Sequence, residues 1–224
     1  MTYLRSSRGN RHWGERKTNL RWIALWLTIA FLSVCALTSE TAPFPLANGL
    51  AWMPSRPISW EDFQAEPPAQ AEANSEAATI HMTISWSLSF QIIYEPHSKN
   101  WIGTTDLDSL EVMNTMDPLQ SWVLPGKERP EILNHEQRHF DLNEVYRRKL
   151  RQALFSPVVQ GESADVTYQL FQEAVQRIAN QLLNSLENLQ KRYDSETAHG
   201  NNLKRQREWD TAIAAWLADP ARAP

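Results

Sequence analysis

The chain has 224 residues, 42% of them hydrophobic and 10% aromatic, with a net charge of −4 and a mean hydropathy of −0.50. That length suits one domain with additional segments, and the hydropathy excludes a multi-pass membrane protein while leaving room for a single anchor. One cysteine, Cys35, excludes an internal disulfide framework and any cysteine-rich zinc module, and the absence of a fixed-period repeat excludes solenoid architectures.

The charge is segregated along the chain. Arg5, Arg8, Arg11, Arg16, Lys17 and Arg21 against Glu15 leave residues 1–21 at +5, so the remainder carries −9. An acidic body with its basic charge at one end argues against nucleic acid as a partner. Directly after the basic stretch, Trp22 to Leu37 runs sixteen residues without a charge. That layout predicts a signal peptide or N-terminal membrane anchor over residues 1–38, with the body in the periplasm or secreted. Sixteen apolar residues are short for a span, which needs about 20, whereas the long basic start favours retention. Leu32-Ser33-Val34-Cys35 is similar to a lipobox, although Val34 is larger than the residue usual before such a cysteine, so cleavage and lipidation both stay open. Residues 39–57 read as a proline-punctuated linker, and residues 58–224 as the folded domain.

Within the domain, Ile80, Met82, Ile84, Trp86, Leu88, Phe90 and Ile92 occupy every second position, which predicts one half-buried β-strand of an antiparallel sheet. Ile58-Ser59-Trp60, Trp101 to Thr105 and Ser121 to Leu124 read as shorter strands. Ala65 to Ala78 reads as an exposed loop, and His81 and His97 as surface residues. The second half is helical. Pro130 suits the first position of a helix running to Phe155, and Ser163 suits the N-cap of a second. The second helix has an apolar stripe, Val166, Leu170, Ala174, Ile178, Leu182, Leu186, Leu189 and Tyr193, and a third helix spans about Leu203 to Ala218. Strands followed by helices predict an α+β fold.

The first helix carries His135-Glu136-Gln137-Arg138-His139. Residues four apart share a helical face, so both imidazoles reach one ion, and neutral imidazole suits zinc. Glu136 between them is placed to take the proton of a water on the metal, the general-base role of metalloproteases. With 6 His and 17 Glu, a shuffled chain of this composition contains such a pattern about once in a hundred trials. An open catalytic zinc needs a third protein ligand. Asp141 lies about 200° around the helix from His139 and cannot supply it. Glu162, Glu173, Asp194, Glu196 and His199 remain, and the turn-forming segment Tyr193 to Gly200 is the better source.

His135-Glu136-Gln137-Arg138-His139-Phe140-Asp141 resembles the HEQxHFD signature of a bacterial family of predicted secreted zinc-dependent proteases, a domain of unknown function. Tyr193-Asp194, Thr197 and His199-Gly200, followed by Gln206 and Trp209, resemble its second signature, YDxxTxHG with a downstream QxxW. The resemblance spans about Ile58 to Trp209. It implies a zincin-like metallopeptidase with Glu136 as catalytic base and His135, His139 and His199 as zinc ligands. A peptide or protein would be the substrate, held by β-augmentation against an edge strand. Tyr193 or Tyr146 is a candidate hydrogen-bond donor to the oxyanion. The rival expectation is an envelope binding module in which a fourth protein ligand such as Asp194 closes a structural zinc site.

Overall fold

The computed structural model describes residues 49–71 and 76–224. The basic start, the apolar run Trp22 to Leu37 and Cys35 lie outside the described residues; among the described residues no helix is long and apolar enough to cross a membrane.

The architecture is α+β. Among the described residues, eight short strands form three small antiparallel sheets instead of one. Strands β1 (Leu50–Ala51), β6 (Glu111–Met116) and β3 (Met82–Ser87) make one sheet in the order β1-β6-β3, and β2 (Ala78–Thr79) pairs with β7 (Trp122–Val123). The third sheet joins β4 (Phe90–Glu95), β5 (Asn100–Thr105) and β8 (Val158–Gly161) in the order β4-β5-β8.

The alternation from Ile80 to Ile92 therefore spans two strands in two sheets. The break falls at Leu88-Ser89, where the Ser89 N–H donates to Ser109 Oγ (2.7 Å) and leaves the β3–β6 ladder. Alternating burial survives because both strands face the helices, with Ile84, Phe90 and Ile92 all buried. Ser59-Trp60 is not a strand. Asp62 accepts the Ser59 N–H at 2.8 Å and winds Trp60–Asp62 into a 3-10 turn. The chain is folded from Leu50, within the stretch expected to be linker, because Leu50 pairs with Met116 and the Trp52 indole donates to Asp141. In the expected loop Ala65 to Ala78, Ala71 is fully buried against Trp122 and Leu124. His81 is half-buried instead of exposed, and its Nδ1 finds no partner among the described residues.

Three helices follow: α1 (Pro130–Leu154), α2 (Ala164–Thr197) and α3 (Leu203–Ala218). Pro130 opens α1, and Ser163 caps α2 by accepting the Val166 N–H at 3.2 Å. The C-terminal half of α1 packs Leu142, Val145, Tyr146, Leu150 and Leu154 against Leu186, Leu189 and Tyr193 of α2 and against Trp209 and Ile213 of α3. Over its first turns α2 presents a face other than the expected stripe. Val166 and Leu170 are exposed, whereas Thr167 and Phe171 are buried. The sheet β4-β5-β8 decides this, since Phe171 stacks on Phe90 with ring centroids 4.9 Å apart. Thr167 lies so close to Gly161 that a Cβ there would stand 2.6 Å from its Oγ1.

Candidate metal centre

The N-terminal half of α1 and the C-terminal end of α2 lie side by side, and their polar residues meet. His135 and His139, one turn apart, direct their Nε2 atoms to within 3.1 Å of each other. The Asp194 carboxylate Oδ1 lies 3.1 Å from His135 Nε2 and 2.8 Å from His139 Nε2. His199 Nδ1 is 3.6 Å from the same oxygen. Two imidazoles and a carboxylate, with a third imidazole beside them, are a nitrogen–oxygen donor set that suits a divalent ion. Ligand atoms about 2.0–2.1 Å from a tetrahedral ion stand ~3.3 Å apart, and the observed spacings bracket that value. His135, Asp194 and His199 thus form a group able to hold a metal ion.

The elements explain the convergence. Helical spacing stacks His135 over His139, and both are buried, His135 stacked on the Tyr193 ring at 4.6 Å. Asp194 and His199 lie where α2 ends. Ala198 and His199 both adopt left-handed backbone, at φ 48° and 50°, and Gly200 follows at φ 79°. Each non-glycine residue in that region costs roughly 1–2 kcal/mol, strain that is characteristic of functional sites. The turn folds back over α1, with the Asp194 carbonyl accepting from the His199 N–H and the Thr197 carbonyl from the Asn202 N–H. Gly200 is required on two counts. Its backbone is left-handed, and a Cβ there would stand 2.9 Å from His135 Cβ.

Burial lowers the pKa of His139, but its hydrogen bond and charge interaction with Asp194 outweigh this and raise it overall. Burial would raise that of Asp194, yet hydrogen bonds from His135 and His139 hold it well below the usual carboxylate range. Glu136 is buried, and its Oε2 accepts the Ile80 N–H at 3.0 Å.

The remaining candidates fall elsewhere. Glu162 and Glu173 are exposed, and Glu196 binds Arg192, Arg205 and the Trp209 indole. Asp141 accepts from the Trp52 indole (2.8 Å), Gln137 (2.9 Å) and Arg138 (2.6 Å), so it ties the N-terminal segment to α1. Neither tyrosine is free to serve an oxyanion. Tyr146 donates to the Pro224 carbonyl and Tyr193 to the His135 carbonyl, and burial pushes the Tyr193 hydroxyl pKa strongly upward. Gln190 and Gln206 contact the outer nitrogens of His139 and His135; Gln206 belongs to the downstream QxxW pattern, whereas Gln190 had no sequence signal beyond its polar character inside a helix.

Residues 126–200 match the family model described as "Bacterial protein of unknown function (DUF922)". The match opens in the turn before α1 and closes on Gly200. It therefore covers every residue of the His/Asp cluster, together with Glu136 and Gln190, and leaves Gln206 and strands β1 to β7 outside. It supports a domain of a bacterial family of unknown function. No curated protein and no solved structure matches the chain.

Proposed function

We propose that the protein is a zinc-dependent hydrolase, most simply a metallopeptidase of the cell envelope. The observation that carries this reading is the meeting of His135 Nε2, His139 Nε2 and Asp194 Oδ1 within 3.1 Å, with Glu136, between the two histidines on the helix, holding one of its oxygens on the Ile80 N–H. His135, His139 and Asp194 are the protein ligands, and His199 stands on the solvent side, its side chain 46% exposed. Zinc held there supplies Lewis acidity and a water activated for attack on an amide. The Ile80 N–H fixes one oxygen of Glu136, leaving the other to accept the proton of the attacking water. The basic residues 1–21 and the apolar run after them support a body outside the cytoplasm, and a reporter fused after Pro224 should be active only there.

The test uses the zinc-loaded full chain and a random peptide library, with new amino termini as the readout. Wild type should cleave. Glu136→Gln should keep its zinc and lose cleavage, since it removes a base and no ligand. Cleavage unchanged in Glu136→Gln would overturn the assignment.

A second reading has one observation in its favour. If His199 joins the other three residues, four protein donors close the site and the zinc is structural. A cobalt-substituted chain separates the two readings. A spectrum altered by azide supports the open site, and an unaltered one supports the closed module.

A further inference from the structure

We propose that Gln190 and Gln206 are positioning residues that lock His139 and His135 in the Nδ1–H tautomer, so that both Nε2 lone pairs face the metal point. The inference rests on the metal reading above and goes beyond the ligands themselves.

The argument turns on which end of each amide faces the imidazole. Gln190 Nε2 donates to the His139 carbonyl (3.2 Å) and to Asn143 Oδ1 (3.3 Å). A carbonyl is an acceptor only, so the NH2 group must lie on that side and Oε1 must face the ring. Oε1 stands 2.5 Å from His139 Nδ1. An amide oxygen accepts and never donates, so the proton resides on Nδ1.

Gln206 repeats the logic with other partners. Its Nε2 donates to Asp210 Oδ1 (2.9 Å) and to the Tyr193 hydroxyl (2.8 Å). Tyr193 in turn gives its own proton to the His135 carbonyl, so that hydroxyl accepts from Gln206. Asp210 also receives Arg138 Nε at 3.0 Å and Asn134 Nδ2 at 3.1 Å, which fixes its carboxylate. Gln206 Oε1 is thereby left for His135 Nδ1, at 3.3 Å.

Both glutamines are pinned by acceptors that no rotation of the amide satisfies, and Gln206 is 4% exposed. Each ring therefore keeps its proton on Nδ1, and Nε2, which faces Asp194 Oδ1, is the nitrogen an ion would take in exchange for that hydrogen bond. Partners of this kind typically change metal affinity by about 10–100-fold. Neutral amides have a further consequence. Among the described residues they leave Asp194 as the only anion in contact with the two histidine rings.

The experiment compares near-isosteric variants of the full chain. Gln190→Met and Gln206→Met keep bulk and lose the acceptor. Gln190→Glu and Gln206→Glu keep an acceptor and lose the NH2 group. Zinc affinity is measured for each, and the exchangeable imidazole N–H signals of the cobalt-substituted protein are followed by paramagnetic NMR. The Met variants should bind zinc about 10–100-fold more weakly, with one shifted N–H signal each exchanging faster with solvent. Gln190→Glu should restore affinity to near wild type, whereas in Gln206→Glu the new carboxylate faces Asp210 Oδ1 and should restore only part of it. A wild-type chain that binds no divalent metal overturns the metal reading and this proposal with it. Metal bound equally by wild type and both Met variants, with unchanged N–H exchange, overturns only the tautomer lock. Equal losses in the Met and Glu variants, without faster exchange, reduce the glutamines to packing and also overturn it.

Discussion

The two ends of α2 solve different problems with the same helix. At its start, Thr167 and Phe171 press against Gly103, Gly161, Phe90 and Ile92, and the contact is held by shape and apolar area. At its end, Gln190, Asp194 and Thr197 face α1 through hydrogen bonds, and the chain leaves the helix through two left-handed residues. The first arrangement stabilises. The second is costly in backbone strain and buried polarity, and it brings three imidazoles and a carboxylate to one point. Damage at the first end should therefore appear in stability, and damage at the second in metal binding.

The largest expected effect is at the site. His135→Ala and His139→Ala should each abolish stoichiometric zinc in elemental analysis, because a buried ligand is lost outright. Equal metal content in wild type and His135→Ala would end the comparison. Next in size is the opposite end, where Phe171→Ala should cost about 3–5 kcal/mol in denaturant unfolding through the cavity it leaves. The folded fraction of that variant should bind zinc normally.

Asp194→Asn should weaken zinc binding by about 10–100-fold, whereas Glu162→Gln and Glu173→Gln should leave it unchanged, as measured by competition with a chromogenic chelator. Two glycines sharpen the contrast further. Gly126 and Gly200 have nearly equal φ, 77° and 79°, but only Gly200 faces a neighbour that a Cβ would strike. Gly126→Ala should cost about 1 kcal/mol of stability from backbone alone. Gly200→Ala should cost more and also reduce zinc affinity, because the struck atom is His135 Cβ, whose position the helix backbone fixes. The smallest effect is at His199, exposed and farthest from the shared oxygen. His199→Gln should weaken zinc binding less than Asp194→Asn does. The reverse order would make His199 the stronger ligand.

Local patterns in the sequence determined a good part of this. The helix starts at Pro130 and Ser163 were legible because caps and proline act within one turn. So was the pairing of His135 with His139, since helical spacing alone puts them on one face. The α+β class followed from the change of period between the halves. What tertiary structure decided was every relation between distant segments. Whether Ile80 to Ile92 formed one strand or two depended on Ser109, and which face of α2 was buried depended on glycines in β5 and β8. Which residue would join His135 and His139 at a metal was undecidable along the chain, because Glu162, Glu173, Asp194, Glu196 and His199 are all competent donors. The packing of α2 across α1 brings Asp194 against both histidines, and the left-handed turn at Ala198 brings His199 beside it. Metal ligation and hydrogen bonding act over about 3 Å, so only the fold decides which of many suitable residues come within reach.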